Sequence, residues 1–359
     1  MKLAVFSSKS YDKKYLLAAH AAIYGHGPDG TIKPDAPIQI DFLEFSLCAE
    51  TAPLVHGVDA VCVFVNDNLT APVLETLHSQ GVRGVLLRCA GYNNVDLQAA
   101  ERLGMFVANV PSYSPEAVGE FAVALIQTLN RKTHRAYNRV REGNFSLDGL
   151  LGKTLNGKTV GIVGTGRIGV ATARIMKGFG CHLVAFDPNH VSAFTDLGGE
   201  YLELDDLLPK CDIISLHCPL FEKTRHIINA TTLAKMKPGA MLVNTSRGGL
   251  VDTAAAITAL KSRHLGGLAL DVYEGEGELF YNDHSAEIIK DDELMRLMTF
   301  PNVIVCGHQA FFTEEALQEI SECTLRNVSD FMTDKPCKNS LVKDGNTLSR
   351  RESHPVRTV

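Results

Sequence analysis

Several features are missing from this sequence, and each absence argues against a class of protein. No apolar run reaches the roughly 18 residues that a membrane-spanning helix needs. The start, MKLAVFSSKSYDKKYL, lacks the basic and apolar regions of a secretory signal. The formal net charge of -6 gives no general attraction to nucleic acid or to an anionic membrane. We therefore expect a cytoplasmic protein that binds neither nucleic acid nor a membrane, and small polar ligands stay open at this point.

The nine cysteines include no CxxC pair. They stand mostly within apolar runs, at positions 48, 62, 89, 181, 211, 218, 306, 323 and 337. In a long chain without an export signal, this pattern favours buried free thiols over disulfides or metal ligands. We accordingly predict no metal site.

A chain of 359 residues exceeds what one hydrophobic core usually holds, so two domains are expected. Short apolar, strand-like runs alternate with helix-like stretches from the start, and a second alternation begins at KTVGIVGTG. Such alternation favours parallel sheets covered by helices. The predicted fold class is therefore α/β, with two doubly wound parallel-sheet domains.

The two alternations also set the expected domain boundaries. Residues 1–112 hold the first alternation, and residues 113–311 hold the second. The helix-like stretch after the second has no strands of its own left to cover. We therefore expect residues 312–340 to return to the first domain, which would then be discontinuous.

Three further segments have distinct compositions. The stretch GEFAVALIQTLNRKTHRAYNRV, after VPSYSPEAV, is long and apolar enough for one extended helix between the domains. Residues 25–37 are rich in Gly, Pro and Asp, which is typical of a surface loop. Residues 341–359 contain few apolar residues and predict a mobile tail.

A glycine-rich loop opens the second alternation. GTGRIG, residues 164–169, fits G-x-G-x-x-G, follows a strand-like run and opens a helix-like one. In this context Gly164 makes the sharp turn, Gly166 admits a pyrophosphate and Gly169 allows close helix packing. Asp187 follows 23 residues after Gly164, where an acid binds the adenine ribose of NAD and disfavours NADP. The alternative is an aspartate that only caps the next turn.

Three charged residues stand where strands of the second domain should end. Arg247 follows AMLVNTS, Glu276 lies in LDVYEGEGELF, and His308 follows NVIVCG. Taken singly, each has a plain alternative: a surface arginine at a turn, one acid of a solvated loop, and a histidine satisfied at a domain boundary. Because ligands bind outside the carboxyl ends of such strands, the three together favour a carbonyl-reducing site.

The motifs of the whole chain resemble those of the D-isomer-specific 2-hydroxyacid dehydrogenases. The similarity runs through LRCAGYNNVDL, VPSYSPEAV, GTGRIGVA, ISLHCPL, LVNTSRGGLVD, LDVYEGE and GHQAFFTEEAL. It implies a flavodoxin-like substrate domain and a Rossmann NAD-binding domain. It also implies Arg247, Glu276 and His308 as catalytic residues and a homodimer or homotetramer as the assembly.

The resemblance also implies binding roles for further residues. Substrate contacts fall on Ala90, Gly91, Tyr113 and Arg247. Cofactor contacts fall on the glycine loop, on the acid that binds the ribose, and on residues that face the nicotinamide, with Asp271 near its carboxamide. These residues are Gly164, Gly166, Arg167, Ile168, Gly169, Asp187, Cys218, Pro219, Thr224, Thr245, Ser246 and Asp271.

The expected activity is the NAD-dependent, reversible reduction of pyruvate to D-lactate, because the motifs are nearest to the fermentative branch of the family. Two alternatives stay open at this point. One is reduction of a bulkier 2-keto acid. The other is an NADH-sensing corepressor role, since some members of the superfamily keep the same three residues.

Overall fold

The computed structural model describes residues 1–27, 31–277, 279–343 and 346–347. The chain forms two compact units. One comprises Met1–Ser114 and the described residues from Phe312 onward, and the other comprises Pro115–Phe311. Among the described residues, no helix has both the length and the apolar character needed to cross a membrane.

A five-stranded parallel sheet forms the centre of the first unit. Its strands are β1 (Lys2–Val5), β2 (Gln39–Phe42), β3 (Ala60–Val63), β4 (Gly84–Leu87) and β5 (Phe106–Ala108). They lie in the order β2-β1-β3-β4-β5. Every residue of β3 and β4 is buried, as expected for parallel strands covered on both faces.

Helices connect these strands. They are α1 (Ser10–Tyr24), α2 (Ala71–Ser79) and α3 (Leu97–Arg102), with a 3-10 turn at Ala52–Leu54. Asp96 caps α3 by accepting the Ala99 N–H. The α1 helix buries Leu16, Ala19 and His20, so each connection adds apolar surface to the core of this unit.

A seven-stranded parallel sheet forms the centre of the second unit. Its strands are β6 (Thr159–Val163), β7 (His182–Phe186), β8 (Glu200–Tyr201), β9 (Ile213–Leu216), β10 (Ala240–Asn244), β11 (Leu265–Leu270) and β12 (Val303–Val305). The order is β12-β11-β10-β9-β6-β7-β8. Strands β9 and β7 flank β6 on opposite sides, so the winding of the sheet reverses at β6.

The helices of the second unit cover this sheet. They are α4 (Pro115–Arg131), α5 (Thr133–Arg141), α6 (Arg167–Gly178), α7 (Ser192–Thr195), α8 (Leu204–Leu207), α9 (Ala230–Lys235), α10 (Thr253–Lys261) and α11 (Asp292–Met298), with a 3-10 turn at Gly248–Leu250. Helix α4 packs closely on α6, because a Cβ at Gly119 would lie only 3.1 Å from the Cβ of Ala171.

The prediction of one extended helix after VPSYSPEAV is wrong. Lys132 has φ +52°, a left-handed conformation, and separates α4 from α5. Its Nζ donates to the carbonyl oxygen of Leu151 at 2.6 Å. Lysine is a good helix former, so its residue type does not indicate this break between the helices.

The chain then returns to the first unit with α12 (Glu314–Met332), which packs against α1 and β4. Strands β13 (Val342–Lys343) and β14 (Asn346–Thr347) form an antiparallel pair, and the Leu341 N–H donates to the Val107 carbonyl at 2.7 Å. Residues 341–343 are thus paired with this unit rather than part of the predicted tail. The other residues of the tail, apart from 346–347, lie outside the described residues, as do 28–30 of the predicted loop.

The predicted fold class is confirmed: both units are α/β, and both are built on parallel sheets. The sequence prediction missed β8, because two residues at a sheet edge give too short an apolar pattern to recognise.

Candidate active site

The residues predicted to bind cofactor or to act in catalysis in the second unit follow one edge of its sheet. Backbone pairing places six strand ends in one row across that edge: Phe186, Val163, Leu216, Asn244, Leu270 and Val305. Each predicted cofactor-binding or catalytic residue of this unit lies in a loop, or in the first turn of a helix, that follows one of these six strand ends. Ligands of open α/β sheets bind at this edge, close to the point where the winding reverses.

The glycine loop leaves β6 and enters α6 in a conformation that only glycine fits. Gly164 has φ +98°, and a Cβ there would lie 2.5 Å from the Cys218 nitrogen. A Cβ at Gly169 would lie 2.0 Å from the Gly164 carbonyl oxygen. Gly166 is the N-cap of α6 and supplies no side chain. The loop therefore leaves room beside the N-terminus of α6, a position that favours a pyrophosphate.

Asp187 stands directly after β7, beside this loop. Its Oδ2 accepts the Thr165 N–H at 2.8 Å, and its Oδ1 accepts the Asn189 N–H at 2.7 Å. The carboxylate thus caps the next turn, as expected if Asp187 had only a structural role. Each carboxylate oxygen keeps a second lone pair, so these bonds leave it able to accept a ribose hydroxyl as well.

The predicted nicotinamide side contains one buried polar atom without a partner. The Thr245 hydroxyl has no hydrogen-bond partner in the described chain, although the residue is 3% exposed. Nearby, Ser246 Oγ donates to the Cys218 carbonyl at 2.7 Å, and Thr224 Oγ1 donates to the Pro219 carbonyl at 2.7 Å. Burial raises the pKa of Cys218 to about 12, so its thiol stays neutral.

The glycine cradle and the unpartnered Thr245 hydroxyl both fit a dinucleotide. Buried hydroxyls are normally hydrogen-bonded, and a polar ligand group would supply the missing partner. The residues at hand therefore suit NAD.

Arg247 lies three residues past the end of β10 and is half-buried. Asn244 Nδ2 donates to the Arg247 carbonyl at 2.8 Å, which fixes the backbone of the loop. The next residue, Gly248, packs closely on the start of the loop that follows β11. A Cβ at Gly248 would lie 2.1 Å from the Tyr273 carbonyl carbon. This packing places the arginine loop directly beside the loop that carries Glu276.

Glu276 and His308 are in direct contact. Glu276 Oε1 lies 2.8 Å from His308 Nδ1, and the two side chains are 22% and 14% exposed. Glu276 Oε2 accepts the Tyr273 N–H at 2.8 Å. An ionised carboxylate only accepts hydrogen bonds, so Nδ1 carries its proton toward Glu276 and Nε2 is left to exchange a proton with a ligand.

The other acids of this loop have different surroundings. Glu274 is paired with Arg225 at 2.5 Å and with His226 at 2.8 Å, and residue 278 lies outside the described residues. Of Glu274 and Glu276, it is therefore Glu276 whose carboxylate contacts the His308 ring.

His308 itself has a left-handed backbone, with φ +55°. Asp271 stabilises this conformation through its backbone, because its carbonyl oxygen accepts the His308 N–H at 2.7 Å. Its carboxylate accepts the N–H groups of Gln309 and Ala310 at 2.8 and 2.9 Å. Burial raises the pKa of Asp271, although the Gln309 amide, His308 and the Ala310 amide oppose that shift.

Asp271 therefore has a structural task that the resemblance did not imply. Its side chain is fully buried, and both carboxylate oxygens bind chain amides. A direct contact with the cofactor carboxamide stays a prediction.

Two tyrosines near His308 were missed by the sequence analysis. Tyr281 donates its hydroxyl to the His308 carbonyl at 3.1 Å and has φ +69°. Tyr273 supplies the N–H that orients Glu276. A backbone donor leaves no residue-type signal, and Tyr281 is separated from His308 by 27 positions, so neither contact could be found from spacing.

The predicted substrate residues Ala90, Gly91 and Tyr113 belong to the first unit. Ala90 and Gly91 follow β4, at the carboxyl edge of the first sheet. Asn109 Nδ2 donates to the Ala90 carbonyl at 2.7 Å, and Cys89 Sγ donates to the Gly91 carbonyl at 3.3 Å. These bonds occupy the carbonyl oxygens of the turn.

Comparison with known proteins fits this arrangement. A family model described as "D-isomer specific 2-hydroxyacid dehydrogenase, NAD binding domain" matches residues 123–310, the part of the chain that holds the glycine loop and all three charged residues. The chain belongs to this family. The dehydrogenase therefore contains an NAD-binding domain, and its oxidoreductase class and NAD cofactor agree with the sequence prediction.

Relatives match the dehydrogenase over nearly its whole length. It is 64% identical to 2-hydroxyacid dehydrogenase A of Aspergillus oryzae, over 99% of this chain and 100% of the relative. It is also 64% identical to a D-lactate dehydrogenase of Curvularia clavata, over 98% of each chain. The apo structure of D-lactate dehydrogenase from Escherichia coli superposes with a TM-score of 0.84 at 48% identity, covering 95% of this chain and 100% of that one.

Proposed function

We propose that this dehydrogenase reduces pyruvate to D-lactate with NADH and catalyses the reverse oxidation. The observation that carries the proposal is the 2.8 Å contact between Glu276 and His308. The loops of this pair, the arginine loop and the glycine loop all follow the same row of strand ends. The similarity to proteins named D-lactate dehydrogenase supports pyruvate as the keto acid.

The mechanism assigns one task to each charged side chain. Arg247 binds the carboxylate of the keto acid through its planar fork of donors and polarises the neighbouring carbonyl. Bound NADH would supply the hydride that reduces the carbonyl carbon. His308 donates the Nε2 proton to the developing alkoxide, which completes the hydroxyl group. Glu276 stabilises the protonated ring before transfer and keeps its orientation afterwards.

The proposal assigns further contacts to residues of both units. In the second unit Gly164–Gly169 would hold the cofactor pyrophosphate, and Asp187 would accept hydrogen bonds from the ribose hydroxyls. In the first unit, which we propose as the substrate-binding domain, the backbone N–H groups of Ala90 and Gly91 and the side chain of Tyr113 contact the substrate.

Steady-state kinetics with NADH and three keto acids test the substrate assignment. We expect pyruvate to give the highest kcat/KM, with a turnover of about 100 per second, within the usual enzyme range, and 2-ketoisocaproate and phenylpyruvate to be poorer. Chiral analysis should find the D-enantiomer of lactate. A preference for either bulky acid, or turnover of none of the three, would contradict the proposal.

A homodimer or homotetramer is also part of the proposal. Helix α5 buries none of its residues, and the segment after it exposes Phe145, Leu147 and Leu151 by 74%, 81% and 88%. Large apolar groups of this kind normally mark an interface, and we propose a second copy of the chain as the occupant. Light scattering should give at least a dimer mass, and Leu147→Asp should lower it. A monomer for the unmutated protein would contradict this assignment.

The proposed location is the cytoplasm. All nine cysteines are free thiols, which suits a reducing compartment. Fractionation of cells that express the tagged protein tests this location.

A further inference from the structure

Tyr201 lies at the end of β8, the short edge strand, and its hydroxyl bridges two loops. The hydroxyl accepts the Val191 N–H at 3.0 Å. It also lies 2.8 Å from Thr165 Oγ1. Val191 ends the loop that begins with Asp187, and Thr165 lies within the glycine loop. One side-chain oxygen therefore ties together the two loops expected to hold the adenosine half of the cofactor.

Thr165 is held on two sides. Its backbone N–H donates to Asp187 at 2.8 Å, while its hydroxyl meets Tyr201. The residue is 1% exposed, so water cannot replace a lost partner of its hydroxyl. Tyr201, Thr165 and Asp187 thus form a chain of contacts, and a shift of the tyrosine would be transmitted to the carboxylate.

The ring of Tyr201 is fixed independently of its hydroxyl. It stacks on His190 with 3.9 Å between ring centroids and 8° between planes. Phe194 packs on the ring at 5.2 Å. A change that removes only the hydroxyl should therefore leave the ring in place.

We propose that Tyr201 is a positioning residue for the adenosine half of NAD, acting through Thr165 on the spacing between the glycine loop and Asp187. The glycine loop must contact the pyrophosphate while Asp187 contacts the ribose. If the spacing between them is altered, the loops must move when the cofactor binds, and the free energy of that movement weakens binding. The inference depends on NAD binding and not on which keto acid is reduced.

Calorimetric titration with ADP-ribose tests this role without any turnover. In Tyr201→Phe we expect the Kd for ADP-ribose to rise by about tenfold, within the range for losing one partner of a buried hydroxyl. The KM for NADH should rise similarly, while kcat at saturating NADH, with whichever keto acid the protein reduces, should stay within about twofold. Tyr201→Phe also removes the acceptor of the Val191 N–H, so Thr165→Val should give an equal or smaller loss. The double variant should lose no more than Tyr201→Phe alone.

Tyr24→Phe is the matched control, because it deletes the same atom on α1 of the first unit and should leave ADP-ribose binding unchanged. Thermal unfolding of all variants checks that they fold. An unchanged Kd for ADP-ribose in a folded Tyr201→Phe would overturn the proposal. Additive losses in the double variant would overturn the route through Thr165. Failure of the protein to reduce pyruvate would leave the ADP-ribose result unaffected and would count against the proposed substrate alone.

Discussion

Glu276 and His308 are 32 positions apart in the chain, yet Oε1 of one lies 2.8 Å from Nδ1 of the other. They belong to loops after the neighbouring strands β11 and β12, so the contact is set by sheet order. The second oxygen of Glu276 is fixed by the Tyr273 N–H. Both oxygens of Glu276 are therefore engaged, which fixes the orientation of the imidazole ring that proton transfer needs.

Arg247→Lys tests whether substrate binding needs the planar guanidinium group or only a positive charge. Lysine keeps the positive charge but loses the planar fork, so kcat/KM for the keto acid should fall at least a hundredfold, or about 3 kcal/mol. Steady-state kinetics at saturating NADH measure the effect. A loss below about threefold would remove Arg247 from the substrate site.

Asp187→Ser should change the choice of cofactor. The carboxylate repels the 2'-phosphate of NADPH, and no arginine directly follows Asp187 in FDPNH, so the unmutated protein should strongly prefer NADH. The variant should narrow the ratio of kcat/KM values for the two cofactors. Equal efficiency of both in the unmutated protein would contradict the assignment.

Asp271→Asn should lower kcat rather than weaken cofactor binding. The new NH2 group would face the N–H of Gln309 or Ala310, so one of these two hydrogen bonds would be lost. The free energy that holds His308 in its left-handed conformation would fall by roughly 1–3 kcal/mol. We expect kcat to fall by about tenfold or more with the KM for NADH unchanged. The opposite pattern would indicate that Asp271 acts mainly on the carboxamide.

His217 should make stability depend on pH. Burial lowers its pKa to about 3, whereas a histidine in the unfolded chain binds a proton near pH 6.5. The unfolded state alone gains this proton as the pH falls from about 6.5 toward 3, so the folded state loses stability over that range. At pH 5 the loss from this residue should be about 2 kcal/mol relative to pH 7.5.

Denaturant unfolding of His217→Gln at both pH values measures this contribution. Glutamine does not titrate and can still reach Ser215, which lies 2.8 Å from His217 Nε2. The stability difference between pH 7.5 and pH 5 should therefore be smaller in the variant by about 2 kcal/mol. The same difference in both proteins would show that His217 does not titrate on unfolding.

The sequence could predict those features that depend on local motifs or on the periodic spacing of apolar residues. Alternating apolar runs gave both sheets, and the spacing of GTGRIG between a strand and a helix gave the loop that β6 and α6 form. Strand ends are functional positions in this fold class, which drew attention to Arg247 and His308 without any contact being known.

What the sequence could not predict depends on contacts between distant residues. The left-handed turn at His308 is held by Asp271 and Tyr281 from other loops, and nothing in GHQAF indicates it. Tyr201 lies on a strand of two residues, and its importance comes from a hydroxyl shared with Thr165. Lys132 separates α4 from α5 through a left-handed backbone conformation, which its residue type does not indicate.

We propose that Glu276 supports the protonated form of His308 during reduction, because its carboxylate lies 2.8 Å from Nδ1. A nearby carboxylate favours the charged imidazole, and Glu276→Gln deletes that charge while keeping shape and a hydrogen bond. The variant should therefore lose reductive activity at a lower pH than the unmutated protein, and mildly acidic conditions should restore part of it. Oxidation of the hydroxy acid needs the neutral ring, so its acidic limb should move in the same direction.

The pH dependence of kcat/KM in both directions, with NAD(H) saturating, tests this claim most directly. Solvent isotope effects should accompany it, because rate-limiting product release could hide a shift. Both limbs should move to lower pH in Glu276→Gln. Two unmoved limbs in a folded variant that binds NADH normally would contradict the pairing and return Glu276 to the role of a solvated loop acid.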